Sequence, residues 1–187
     1  MASEWQKMVG GETYHALDPE LIDRLTAMKE RIWLFNRINP SATDEKERAL
    51  REILGKCGAS PAIVQPFYCD YGCNIEVGDC FFANFNLTIL DEAKVIIGDH
   101  VFIGPNVGLY TPCHPTDPEE RNRNIEWARP ITIGNSVWIG GSVTILPGVT
   151  IGDNCTIGAG SVVTHDIPAN SIAVGNPCKV IKKVTKP

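Results

Sequence analysis

Between Val95 and Ile167 an aliphatic residue returns every six positions, and a period of six excludes most folds at once. One column holds Ile97, Ile103, Leu109, Ile133, Ile139, Ile145, Ile151, Ile157 and Val163. A second, four places later, holds Val95, Val101, Val107, Cys113, Ile131, Val137, Val143, Val149, Cys155, Ser161 and Ile167. An amphipathic helix repeats near about 3.6 residues and a half-buried strand repeats every second residue, so neither accounts for the pattern. Short strands joined by equal corners and stacked coil on coil do. The spacing therefore predicts an all-β solenoid, a parallel β-helix of hexapeptides. Each strand buries only one or two side chains, so its stability must come from stacking on neighbouring coils. Gly follows the first column at 98, 104, 134, 140, 152 and 158, where a tight corner leaves little room for a side chain. None of these glycines falls in a dinucleotide-binding or phosphate-loop pattern, so no nucleotide fold is implied.

A chain of 187 residues suits one compact domain with an appendage. Its net charge of −5, with Lys and Arg dispersed, argues against nucleic acid as a partner. The one basic cluster is Lys179, Lys182 and Lys183. No apolar run approaches a membrane span and the start shows no secretory pattern, so a cytoplasmic protein without membrane attachment is expected. Seven cysteines, two of them in the inward column, read as thiols in a reducing compartment. Cys69, Cys73 and Cys80 lack paired zinc-ligand spacing, so no metal site is expected.

Residues 1–57 read as an N-terminal helical cap and residues 58–187 as the solenoid. Asp18-Pro19-Glu20 opens a helix in which Leu21, Ile22, Leu25, Met28, Ile32 and Phe35 share a face, and it should stop near Asn39-Pro40. A second helix starts within Ser41 to Asp44 and ends at Gly55. The spacing of eight between Ile89 and Ile97 predicts a bulge that carries Asp91 and Glu92 outward. The Pro-, Asn- and charge-rich stretch near 110–130 lacks the glycine corners and reads as an excursion from the coil. Loops leaving a rigid scaffold are where function concentrates.

Four histidines occur, and His114 alone stands where regular coil gives way to that excursion. If Cys113 points inward, its neighbour His114 points outward. An exposed imidazole at a loop junction is a candidate acid or base.

Over nearly its whole length the chain resembles the maltose and galactoside O-acetyltransferases of the hexapeptide-repeat superfamily. The resemblance is carried by EWQKMVGGETYHALDPEL, FYCDYGCNI, FFANFNLTILDE and the long run from ITIGNSVWIGG to GNPCKVIKK. It implies a left-handed β-helix and acetyl transfer from acetyl-CoA to a sugar hydroxyl. It further implies a homotrimer with active sites between subunits and no metal. Residue by residue, His114 takes the general-base position, while Asp18, Asp70, Asn84 and Glu92 match positions at the acceptor. Asn84, Trp138, Gly141, Ala159, Thr164, His165, Lys179 and Lys182 match positions at the coenzyme, with His165 replacing a usual Lys and Lys179 a usual Arg or Ala. An antibiotic acetyltransferase and a non-catalytic binding scaffold share the same architecture. The cap and CDYGCNI favour the sugar branch. A zinc hydratase on this scaffold needs three converging histidines, and only His114 stands at a plausible cleft.

Overall fold

The computed structural model describes residues 2–185, and it is a left-handed β-helix with a helical start. Three parallel sheets form the faces of a prism. Face one stacks Lys56–Cys57, Ile75–Val77, Val95–Ile97, Ile131–Ile133 and Thr150–Ile151. Face two stacks Ala62–Ile63, Phe82–Ala83, Phe102–Ile103, Trp138–Ile139, Thr156–Ile157 and Ser171–Val174, closed by antiparallel Lys179–Lys183. Face three stacks Phe67–Cys69, Leu87–Leu90, Gly108–Tyr110, Thr144–Ile145 and Val162–Val163.

Both hexapeptide columns are buried, apart from Cys113, and they join cap residues Met28, Ile32, Phe35, Leu50 and Ile53 in one continuous core. The glycines mark close approach between coils: a Cβ on Gly140 would lie 2.6 Å from the Ala159 amide nitrogen, a distance that real Cβ atoms do not adopt.

The register shows where the repeat is broken. Cys57 pairs with Val77, Val77 with Ile97, Ile97 with Ile133, Ile133 with Ile151, and Ile151 bridges Ile167, giving intervals of 20, 20, 36, 18 and 16 residues. Three hexapeptides make 18. Every departure falls between face three and face one, since the inward residues flanking the other two corners stay six apart. The gap from Ile89 to Ile97 is the one visible in the sequence; Cys69 to Val77 is an equal one, directly below it.

Two expectations need correction here. The two-residue insertion does not swing Asp91 outward: Asp91 is fully buried and Glu92 half-buried, because backbone amides of the coil below need an acceptor at that corner. Cys113 is not in the core either. The chain leaves the coil after buried Thr111, and Pro112–Cys113 instead pairs antiparallel with Ile125–Ala128. That hairpin, with one turn of helix at Pro118–Arg121, is the excursion. Tyr14–His15 adds a third strand to it, opposite Glu126 and Ile125.

The cap holds α1 (Glu4–Val9), α2 (Pro19–Phe35) and α3 (Thr43–Ile53). The last two follow the sequence pattern; α1, closed by a reciprocal Ser3–Gln6 capping box, was not expected from it. The end of α2 is clamped to face three: Asn36 Nδ2 donates to the Phe67 carbonyl and Asn36 Oδ1 accepts the Phe67 amide, both at 2.9 Å. No helix among the described residues is long and apolar enough to cross a membrane.

Candidate functional site

The corner between faces three and one gathers side chains that the repeat does not need. In the second coil the Asp91 carboxylate accepts the amides of Asp70 at 3.1 Å and Tyr71 at 2.8 Å, while its carbonyl accepts Asn74 Nδ2 at 2.7 Å. It stitches the two insertions together. Burial raises its pKa to about 6, against the lowering effect of the Tyr71, Gly72 and Asn74 amides. One coil on, the Thr111 hydroxyl donates to the Leu90 carbonyl at 2.8 Å and accepts the Ala93 amide at 3.0 Å.

Asp70 and Glu92 meet at this corner as a hydrogen-bonded carboxyl pair. Two carboxylates so close do not both ionise readily, and burial discourages ionisation further. Burial first, then the Asp70 charge, pushes Glu92 up to about 9. Asp70 is also raised by burial, partly offset by its bond to Glu92 and by the Lys29 charge. The pair therefore carries a proton at neutral pH, presenting both donor and acceptor to a ligand.

His114 stands exposed at the base of the hairpin, its Nδ1 3.5 Å from Glu126 Oε1. The other Glu126 oxygen accepts the Tyr14 hydroxyl at 2.8 Å. Tyr14 is buried; burial and then the Glu126 charge push its phenol well above the usual range, so it remains a donor. An acid on the Nδ1 side favours the tautomer with its proton there, leaving Nε2 free to accept one. Neither Glu126 nor Tyr14 was singled out from the sequence. The alternation Ile125-Glu126-Trp127 inside the excursion was the only signal.

A second constellation lies on the corner between faces two and three, where Phe85, Pro105, Gly141 and Ala159 stack. The Phe85, Pro105 and Gly141 carbonyls accept the amides of Asn106, Ser142 and Gly160 at 3.0, 2.8 and 2.9 Å. The Phe85 amide is taken by Asn84 Oδ1 at 2.8 Å, and proline has none. Gly141 and Ala159 differ: amides on either side of each are spent in the ladder, while their own N–H groups have no backbone partner among the described residues. Trp138 lies exposed on face two next to Phe102.

Asp70, Glu92 and His114 thus all lie on connections from face three to face one, and Asn84, Gly141 and Ala159 on the corner before face three. Asp18 joins neither group: its carboxylate caps α2 by accepting the Glu20 amide at 2.9 Å. Thr164 and His165 sit at the last corner between faces three and one, Oγ1 and Nδ1 being 2.8 Å apart. Lys179 and Lys182 are exposed on the final strand. No trio of His, Cys, Asp or Glu among the described residues is placed to hold a metal.

Comparison with known proteins identifies the family. Residues 7–58 match the maltose acetyltransferase hexapeptide capping motif, residues 130–165 the bacterial transferase hexapeptide in six repeats, and residues 94–112 the hexapeptide repeat of succinyl-transferase. A Saccharomyces cerevisiae protein with a generic acetyltransferase name is 53% identical over 182 residues, covering 97% of this chain and 93% of its own. A maltose O-acetyltransferase from Clostridium difficile 630 superposes with TM-score 0.97 at 48% identity, covering 99% of both chains. A galactoside acetyltransferase in complex with coenzyme A superposes with TM-score 0.94 at 42% identity, covering 99% of this chain and 92% of its own.

Proposed function

Because the chain belongs to the hexapeptide-repeat acetyltransferases that carry the maltose acetyltransferase cap, we propose that it moves an acetyl group from acetyl-CoA to a hydroxyl of a sugar. The observation that carries this reading is His114, exposed beside Glu126 at the lip of a corner lined by the Asp70–Glu92 pair. The acceptors in the names of the similar proteins, maltose and a galactoside, support a polyhydroxylated acceptor.

A sugar hydroxyl is too weak an acid to attack unaided at neutral pH. His114 takes its proton as the oxygen bonds to the acetyl carbon, a contribution of about 10²–10⁴-fold. The carbonyl oxygen becomes an oxyanion, which the unpaired Gly141 N–H is suited to receive. Collapse breaks the C–S bond, and the imidazolium returns its proton to the departing thiolate. Asp70 and Glu92, with Asn84 and Asp18, are assigned to the acceptor's other hydroxyls. Asn84, Trp138, Gly141, Ala159, Thr164, His165, Lys179 and Lys182 are assigned to the coenzyme.

His114, Asp70 and Glu92 lie on one corner of the prism, and Asn84, Gly141 and Ala159 on the next. A homotrimer resolves this by setting the Gly141–Ala159 corner of one copy against the His114 corner of the next, so that each site spans two subunits. The test is an acceptor panel at fixed acetyl-CoA, read by free thiol release: glucose, maltose, methyl β-galactoside and chloramphenicol. Turnover of the sugars well above chloramphenicol is expected. Efficient turnover of chloramphenicol with no sugar acetylated overturns the reading.

A further inference from the structure

Tyr71 follows Asp70 in the turn that leaves face three, and it belongs to a second, smaller core with Met8, Tyr14 and Leu21, separate from that of the solenoid. Its ring meets Trp5 of α1 edge-on, with centroids 5.2 Å apart at 70°, and the Arg24 guanidinium lies 4.3 Å over Trp5. Its amide is the one held at 2.8 Å by Asp91. The solenoid thus fixes the backbone of Tyr71 and the cap fixes its ring.

The hydroxyl is left over. Tyr14, the other phenol of this core, spends its donor on Glu126. Tyr71 has no such partner among the described residues. No buried side-chain oxygen or nitrogen among them goes unpaired, so the Tyr71 hydroxyl reaches the surface although the residue is only 8% exposed. It surfaces among acids: burial first, then the Glu92, Asp70, Asp91 and Glu126 charges, hold the phenol well above its usual range, so it stays a donor at neutral pH. Packing alone does not call for this group, since a phenylalanine ring would fill the same space.

We propose that the Tyr71 hydroxyl is a specificity-determining donor of the acceptor site, aimed at one ring hydroxyl of a sugar held beside the Asp70–Glu92 pair. The assignment rests on the acetyltransferase reading for the identity of the ligand. A carboxyl pair that shares a proton adapts to many hydroxyl orientations, whereas a phenol on a packed ring donates in one direction and therefore selects. A neutral hydrogen bond of this kind contributes about three- to tenfold in affinity, and its loss falls on a single position of the sugar.

The experiment titrates methyl β-glucoside and methyl β-galactoside, each with its monodeoxy analogues, into the wild-type protein, Tyr71→Phe and Trp5→Ala. Kd is read by NMR, and acetyl transfer to the parent sugars is followed at saturating acetyl-CoA. In the wild type one deoxy position should carry a penalty of about three- to tenfold that vanishes in Tyr71→Phe, while the penalties at the other positions stand. Trp5→Ala keeps the hydroxyl but frees the ring, and should shrink the same penalty. Equal penalties in wild type and Tyr71→Phe at every position overturn the proposal. So does a uniform loss of affinity across the panel, which would mean that Tyr71 only supports the fold of the corner. If the wild type binds none of these sugars, the sugar reading falls and the inference with it. A Tyr71-dependent penalty without acetyl transfer upholds the donor and removes the transferase reading; transfer with no Tyr71-dependent penalty does the reverse.

Discussion

The Glu126 carboxylate reaches within 3.5 Å of His114 Nδ1 while holding the Tyr14 hydroxyl at 2.8 Å. The three side chains come from three strands of the small antiparallel sheet and its margin, so the imidazole is aimed by the excursion and the cap jointly, and not by the solenoid.

His114→Ala is therefore expected to lower kcat by about two to four decades, the usual contribution of a general base, with acetyl-CoA binding retained. Glu126→Gln keeps the shape, removes the charge, and should cost less. Steady-state kinetics check both; near wild-type turnover in His114→Ala removes it from the mechanism.

Transfer should be direct, with no acetyl-enzyme, although a thiol adjoins the base. Burial raises the Cys113 thiol above its usual range, and Sγ lies 4.0 Å from the Thr111 carbonyl. It is a poor nucleophile in that state. Cys113→Ala should retain turnover, and mass spectrometry after acetyl-CoA addition should find no acetylated cysteine. Trapped acetyl-Cys113 or ping-pong kinetics would refute this.

Glu92 links stability to pH. Its folded pKa of about 9 lies above its ordinary 4.5, so the folded state binds the proton more tightly than the unfolded state. This stabilising contribution is complete below pH 4.5 and is lost progressively as pH rises towards 9. Glu92→Gln stays neutral throughout. Its Tm relative to wild type should climb between pH 5 and 8. A difference that is flat with pH would show that the pair does not hold a proton.

Lys179 and Lys182 face solvent on the last strand, where coenzyme phosphates would gain from them. The double Ala variant should raise the acetyl-CoA KM and flatten its dependence on salt, leaving the acceptor KM nearly unchanged. Identical acetyl-CoA kinetics at low salt would free both residues from that role.

The solenoid was legible because its period is local: each inward aliphatic sits six residues from the next at two of the three corners, whatever happens at the third. The cap's α2 and α3 were legible for the same reason, from helical spacing and a Pro after Asp18. Counting failed where the chain left the coil. Cys113 is six residues from Val107, yet the coil had already been left at Thr111, so its column position meant nothing. Asp91 looked like a solvated insertion because its acceptors' partners are backbone amides of another coil, which no side-chain pattern reveals. Glu126 and Tyr14 meet across 112 residues, through a strand pairing with no repeat to announce it.

The final strand, Lys179–Lys183, runs antiparallel to Ser171–Val174 and carries three lysines along the outer rim of face two. A solenoid without such an ending is a polymerisation template, since its last coil offers the next molecule the same ladder it offered its own chain. The reversed direction and the charges forbid that addition here, and α2 and α3 cover the opposite end. Deleting residues from Asn176 onward should therefore convert a discrete particle into one that grows into filaments, detectable as rising light scattering with concentration. A truncated chain that scatters like the intact one would show that the coil is closed by something other than this strand.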